Sequence, residues 1–152
     1  MGMTYVKSDV VTAVAQASDA VEVDLGLGID EAAKITGIAL CVFVDDKYAP
    51  DNLLKIQAAY SFDPEDAQVA PTDDEQFAGL TLTVASLTAA VEPVMHSLSE
   101  FFDFSNMNLV TTRNLAFIIT SLLGKGGAIG KVYYERFKPS AIDLSQLIAA
   151  RR

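Results

Sequence analysis

Alternation of apolar and polar residues predicts strands along most of the chain. The clearest run is residues 21–30 (VEVDLGLGID), where every odd position is apolar and every even position is acidic or glycine. A period of two places successive side chains on opposite faces, so this run predicts a half-buried strand. Residues 35–44 (ITGIALCVFV) are apolar almost throughout and rich in β-branched residues. They predict a strand that is covered on both faces.

Shorter apolar or aromatic runs that end at polar turns predict further strands. These runs are residues 53–62, 80–84, 100–104 and 131–138. No long helical pattern separates the strands, which disfavours a parallel α/β fold. The sequence therefore predicts an all-β fold, an antiparallel β-sandwich or jelly-roll barrel, over residues 21–139.

Residues 1–20 are predicted to form an N-terminal arm or a short helix. Ser8 can cap a helix, and Asp9 would lie in its first turn. The valines that follow are β-branched and stiff in helices, which favours an extended arm instead. Both alternatives stay open at this point.

Two segments near the C-terminus have less regular patterns. Residues 107–123 combine a helical spacing of leucine and isoleucine with a β-rich composition, so helix and strand both stay open. A hairpin across the glycine loop 124–130 is the favoured interpretation. In residues 140–152, Ser140 and Asp143 have the spacing of a capping box, which predicts a short helix or tail.

Composition and charge exclude several classes of function. The 152-residue chain has a formal net charge of −9, which disfavours direct nucleic-acid binding because phosphate contacts need a basic surface. One cysteine and one histidine exclude an internal disulfide framework and a structural zinc site. The longest uncharged run tested, residues 76–91, is shorter than the roughly 20 apolar residues of a spanning helix. We therefore expect a soluble, cytoplasmic protein unless the chain belongs to a virion.

The charge is divided unevenly along the chain. Residues 1–112 carry four lysines and 18 acidic residues, whereas residues 113–152 carry seven basic and two acidic residues. The two sets can intermix within one copy, or an acidic surface of one copy can meet the basic C-terminal segment of another. Complementary charge of this kind orients docking more than it adds affinity. The second alternative makes the chain its own expected partner.

Adjacent aromatic residues on predicted strands suggest an interface. Such pairs place one ring on each face of a strand, and the outward ring meets solvent or a partner. Basic residues near the C-terminus complement the acidic surface. The candidate interface residues are Phe101, Phe102, Tyr133, Tyr134, Arg136, Lys138, Arg151 and Arg152.

No catalytic residue and no cofactor are predicted. The loop at residues 124–131 (GKGGAIGK) lacks the spacing of a phosphate-binding loop. Cys41 is expected to be buried, and His96 is expected at the surface or an interface. Acidic clusters are expected to be solvated loop residues, with a calcium ion that bridges subunits as the alternative. The calcium candidates are Asp63, Glu65, Asp66, Asp73, Asp74 and Glu75.

The end of the strand-rich region carries a resemblance to a known family. It reads NLAFIITSLL, then GKGGAIG, then KVYYERF and KPS. Together with the strands of residues 21–139, it resembles the last hairpin and C-terminal segment of a small single jelly-roll coat protein of an icosahedral virus. The resemblance implies an eight-stranded antiparallel barrel that assembles into a capsid shell without catalysis.

One departure from that family narrows the expected partners. Many coat proteins of RNA viruses hold the genome with a basic N-terminal arm, whereas residues 1–20 carry one lysine and two aspartates. The resemblance therefore implies a shell around an inner layer or membrane, formed with copies of itself or a sister structural protein. Two other functions stay open. One is a β-sandwich module that binds a glycan, peptide or small ligand, and the other is a hydrolase that uses His96 or a carboxylate pair.

Overall fold

Two antiparallel sheets face each other across a shared apolar core. The computed structural model describes residues 3–14, 16–48, 53–70, 72–85, 92–140 and 143. Strands account for most of these residues, which confirms the predicted all-β sandwich. The strands of the described part are β1 (Thr4–Ala13), β2 (Ser18–Val23), β3 (Ala32–Tyr48), β4 (Leu53–Ser61), β5 (Gln76–Ala85), β6 (Glu92–Asp103), β7 (Val110–Thr111), β8 (Leu115–Leu123) and β9 (Gly126–Phe137).

The strands pair in a nested order. Sheet I has the order β1-β9-β3-β6, with the short β7 also paired to β3, and sheet II has the order β2-β8-β4-β5. Within these sheets β1 pairs with β9, β2 with β8, β3 with β6 and β4 with β5, all antiparallel. This is the pairing of one long antiparallel ribbon whose successive segments alternate between the two sheets.

The strand β3 shows where the core lies and that the outer face of sheet I is exposed. Its residues Ile38, Leu40, Val42 and Val44 point inward and are at most 2% exposed, whereas Cys41 and its outward neighbours are half-buried. The prediction that this strand is covered on both faces is therefore wrong. No layer of the described residues covers the outer face of sheet I.

Sheet II, in contrast, is covered on its outer side. Ala116 and Ile118 point away from the core yet are fully buried. Residues 63–75, here called the acidic loop, cross this face, and the Val69 amide donates a hydrogen bond to the Thr120 hydroxyl at 2.9 Å. The two outer faces of the sandwich therefore differ in cover.

The N-terminal residues are part of sheet I. The strand β1 pairs with β9 from Thr4↔Glu135 to Ala13↔Gly126. The short helix predicted as an alternative within residues 1–20 is therefore wrong, because a full register of backbone pairs outweighs the local capping signal of Ser8. The strand predicted over residues 21–30 also extends too far along the chain. The strand β2 ends at Val23, because Gly26 has a φ of +67° and its amide bonds the Asp24 carboxylate at 2.8 Å.

The segment before the glycine loop is a strand, but the predicted hairpin is wrong. The helix alternative fails because Leu115–Leu123 forms β8. The strands β8 and β9 lie in different sheets. Gly124, with a φ of +90°, turns the chain from sheet II to sheet I, and the Ser121 hydroxyl donates to its carbonyl.

Glycines of the predicted loop lie inside β9, where they allow close packing. A Cβ atom at Gly126 would overlap the Phe43 carbonyl oxygen, and one at Gly130 would overlap the Tyr60 hydroxyl. Their role is therefore steric, because backbone and side chains of other strands occupy the space of a side chain at these positions.

The capping contact predicted near the C-terminus is present. The Asp143 amide donates to the Ser140 hydroxyl oxygen at 3.2 Å, and that hydroxyl donates to the Asp143 carboxylate at 2.6 Å. Asp143 has a helical backbone conformation. The remainder of the helix predicted within residues 140–152 falls outside the described residues.

Candidate interaction face

The outer side of sheet I presents side chains from all four of its long strands. We call this set the open face. Its members alternate along each strand with the core residues. They are Val6, Ser8, Val10 and Thr12 of β1, Ile129, Lys131 and Tyr133 of β9, Ala39, Cys41 and Phe43 of β3, and Ser97, Ser99 and Phe101 of β6.

The backbone register places these residues in rows across the sheet. One row runs from Val10 through Ile129 and Cys41 to Ser99. The exposed fractions are 60% for Val10 and 43% for Ile129. Apolar side chains therefore meet solvent on neighbouring strands, where they form one continuous strip.

Two aromatic rings form the end of this strip. Phe101 is 57% exposed and packs edge-on against Tyr133, with ring centroids 6.0 Å apart and planes at 70°. The Phe101 ring crosses Gly37 of β3, where a Cβ atom would lie 2.8 Å from its Cζ atom. The missing side chain at Gly37 lets the two rings meet across the middle strand.

Beside these rings runs a shallow groove of about 400 Å³. Its walls include Ala39, Cys41, Ile129 and the two rings, with Lys131 and Glu100 also in the lining. Lys131 is the charged residue among these members, and Asp45 of β3 and Glu135 of β9 occupy the adjoining outward positions. The groove therefore suits an apolar or aromatic partner.

The predicted aromatic pairs divide as expected between the two faces of their strands. Phe101 and Tyr133 lie on the open face, as described above. Phe102 turns inward and packs against the core. Tyr134 is 6% exposed, donates its hydroxyl to the Leu25 carbonyl at 3.0 Å and stacks on Tyr5. Phe102 and Tyr134 are therefore core residues in this chain.

The predicted basic interface residues are engaged within the chain or fall outside the described residues. The guanidinium of Arg136 lies 4.0 Å from the centre of the Tyr5 ring and donates to the Gly26 carbonyl at 2.8 Å. Lys138 pairs with Asp30 at 3.4 Å, and both side chains are largely exposed. Arg151 and Arg152 lie outside the described residues.

The acidic loop uses several of its carboxylates for its own turns. The amides of Glu65 and Glu75 each bond an aspartate two residues earlier, Asp63 at 3.0 Å and Asp73 at 2.9 Å. Asp66 accepts from the Ser61 hydroxyl. Among the described residues, which include all six calcium candidates, no group of three or more acidic, histidine or cysteine side chains could hold a metal ion.

Arg113 ties both ends of the acidic loop together. Its Nε donates to the Phe62 carbonyl at 2.9 Å, and its terminal nitrogen donates to the Glu75 carboxylate at 3.2 Å. Asp74 is part of the same turn and makes no such contact among the described residues. One arginine therefore fixes the two ends of the loop relative to each other.

Cys41 and His96 differ in how they match their predicted environments. Cys41 was expected in the core, yet it is half-buried on the open face because β3 lacks an outer cover. His96 is exposed on β6, as expected. Adjacent residues of a strand point to opposite faces, so β6 does not bring His96 and Ser97 together.

A buried polar group that the sequence did not predict lies inside the sandwich. Asp9 points inward from β1 opposite Gly130, with its side chain 11% exposed and 4.0 Å from the Lys7 amine. Burial raises the pKa of Asp9, and the charge of Lys7 partly offsets this rise. Burial and then the charge of Asp9 raise the pKa of Tyr60. Neither the Asp9 Oδ2 atom nor the Tyr60 hydroxyl has a hydrogen-bond partner among the described residues.

Comparison with known proteins gives no family for the chain. No protein-family model matches it, and no curated protein sequence matches it. Within the part of the chain that the structure describes, no helix is long and apolar enough to cross a membrane.

Proposed function

We propose that this protein is a non-catalytic structural subunit with a jelly-roll fold, which assembles with copies of itself into a viral capsid. The observation that carries the proposal is the nested order of strand pairs. It wraps one ribbon of eight long strands into two four-stranded sheets, with β7 as a short addition. Jelly rolls have eight strands in two sheets, and viral capsid domains are among the proteins that use them.

The surfaces of the sandwich support an assembly role. An apolar face that stays in contact with solvent is typical of a site that meets another macromolecule. The strip that contains Val10, Ile129 and Phe101 is such a face. The groove beside it holds a single cation, Lys131.

The N-terminal strand also bears on what the subunit encloses. Residues 4–13 form β1 within sheet I and contribute one lysine and one aspartate, so this segment is not a basic arm. The proposed shell therefore surrounds an inner layer or a membrane, and a sister structural protein is a second partner. The location that follows from this proposal is the virion.

Native mass and particle shape test the proposal. Purified protein is examined by light scattering over a range of concentrations, and the same sample is imaged by electron microscopy. Rings, sheets or closed particles built from many copies are the expected result. A monomer of 16.3 kDa at all concentrations, both alone and with a co-expressed sister structural protein, would contradict the proposal.

The groove favours one alternative function, a β-sandwich module that binds a glycan or other small ligand. Stacked or edge-on rings such as Phe101 and Tyr133 are suited to flat apolar ligands. Saturable binding by the monomer, lost in Phe101→Ala, would favour this alternative. Binding that is the same in Phe101→Ala as in the parent would remove the groove from consideration.

A further inference from the structure

We propose that the open face is the surface through which two copies of this chain pair, with sheet I of one copy packed against sheet I of the other. This inference rests on the proposed function and adds to it the place and the chemistry of the contact. It follows from the exposure, cover, area and charge of the two outer faces of the sandwich.

The apolar residues of the open face are far more exposed to solvent than the apolar residues of the core between the two sheets. Val6 and Val10 on β1 are 53% and 60% exposed, and Phe101 on β6 is 57% exposed. Ile129 on the central strand β9 lies between them. Burial of such side chains against a second protein surface gains about 25 cal/mol for each Å² removed from water.

Only one of the two outer faces is open in the described part of the chain. The acidic loop crosses sheet II and buries Ala59, Ala116 and Ile118 on its outer side. A partner that sought an apolar sheet surface would find sheet II already occupied. Sheet I is the face that a partner can cover.

The area of the open face fits a pair of copies. A strand as long as the ten-residue β1 spans about 33 Å, and four strands side by side span about 19 Å. Each copy therefore contributes about 600 Å² of sheet surface, and two copies bury about 1,200 Å². That sum reaches the lower limit for specific, stable interfaces.

The distribution of charge favours a second copy as the partner. Two chains with a net charge of −9 repel each other unless they meet through a neutral surface. The open face contains one cation, Lys131; Glu135 lies four residues further along β9, and Asp45 occupies the next outward position after Phe43 on β3. The acidic loop lies on the opposite side of the sandwich, where the repulsion between paired copies is weakest. A strongly basic partner would be drawn to that loop instead.

The test compares two lysine substitutions at matched exposure. Ile129 is 43% exposed on the open face, and Leu122 is 42% exposed on the outer side of sheet II. Native mass is measured by sedimentation for the full-length parent, Ile129→Lys and Leu122→Lys. In Ile129→Lys, the dissociation constant of the pair is expected to rise about tenfold or more, and Leu122→Lys is expected to match the parent.

A second readout uses the only cysteine of the chain as a reporter. Cys41 is half-buried on the open face, so pairing would cover its thiol. Its alkylation by iodoacetamide should slow as the protein concentration rises in the parent, but not in Ile129→Lys. Val10→Lys, on the edge strand β1, replaces Ile129→Lys if circular dichroism shows that the latter is unfolded.

The possible outcomes separate this inference from the proposed function. Association that is equal in all variants, with Cys41 reactive throughout, would overturn the open face as the contact and leave self-assembly in place. A parent that stays monomeric, both alone and with a co-expressed sister structural protein, would overturn both. Association that weakens with added salt would indicate the acidic and basic segments as the contact, whereas the open face predicts equal or tighter pairing, because salt screens the net repulsion.

Discussion

Replacement of Tyr60 by phenylalanine is expected to stabilise the protein. Tyr60 is fully buried on β4, and its ring stacks on Phe117 with centroids 4.6 Å apart and planes at 9°. Its hydroxyl spans the core and ends against Gly130 of β9, without a hydrogen-bond partner among the described residues. The substitution deletes this oxygen and leaves the ring and its stacking in place.

The expected gain comes from two opposing contributions. A buried polar group left without a partner costs about 1–3 kcal/mol, which phenylalanine removes. Loss of the oxygen also removes a few packing contacts of about 0.1–0.2 kcal/mol each. The net effect is a stabilisation of about 1 kcal/mol, which corresponds to a rise of about 2–4 °C in Tm for a domain of this size.

Chemical and thermal unfolding of the parent and of Tyr60→Phe measure this effect. Tyr133→Phe is the control, because the Tyr133 side chain lies on the open face and is only partly buried. Its substitution is expected to change the free energy of unfolding by less than about 0.5 kcal/mol. Equal slopes of the urea transitions would show that the compactness of the unfolded state is unchanged.

A loss of about 1 kcal/mol or more in Tyr60→Phe would refute the reasoning, because it would show that the hydroxyl makes a hydrogen bond. Asp9 is the nearest candidate, since its charge contributes to the raised pKa of Tyr60. A double-mutant cycle with Asp9→Asn would then report the coupling between the two side chains.

Three further predictions concern the core and the acidic loop. Gly130→Ala should destabilise the protein by about 1–3 kcal/mol in urea unfolding, because its Cβ atom would overlap the Tyr60 hydroxyl; unchanged stability would contradict this. The raised pKa of Asp9 means that the folded state binds the proton more tightly, so stability should rise as the pH falls through that pKa. This rise should be absent in Asp9→Asn, and parallel pH profiles would contradict it. Arg113→Lys should speed hydrogen exchange in the acidic loop with little loss of global stability, because it removes the planar group that reaches both ends; unchanged exchange would refute that role.

The strands that the sequence predicted best are those whose pattern is set by the core. Residues 35–44 fall within β3, and all but the last residue of 131–138 fall within β9, because the strands need apolar side chains to fill the space between the sheets. The alternation of residues 21–30 was misleading after Val23. Leu25 is still buried, but the positive φ of Gly26 ends the strand, and a period of two does not show this.

Pairing between distant strands could not be predicted from local patterns. The hairpin across Gly124 was wrong because local alternation does not report which sheet a strand joins. The same limit applies to the candidate site. Tyr133 and Phe101 were predicted as interface residues because each is one of two adjacent aromatic residues on a predicted strand, but their contact depends on Gly37 in a third strand. Asp9 and Tyr60 are 51 positions apart and only tertiary structure brings them near each other.

Because β1 pairs with β9, sheet I cannot be completed during synthesis until β9 has been made. The partners of β1 are made more than a hundred residues later, and β9 also supplies the central neighbour of β3. A ribosome that adds about 5–20 residues per second makes β1 wait about 6–25 seconds for its partner. During this interval the edges of β1 and β3 are unpaired and the apolar core is open. Translation speed and chaperone supply should therefore affect the yield of correctly folded protein.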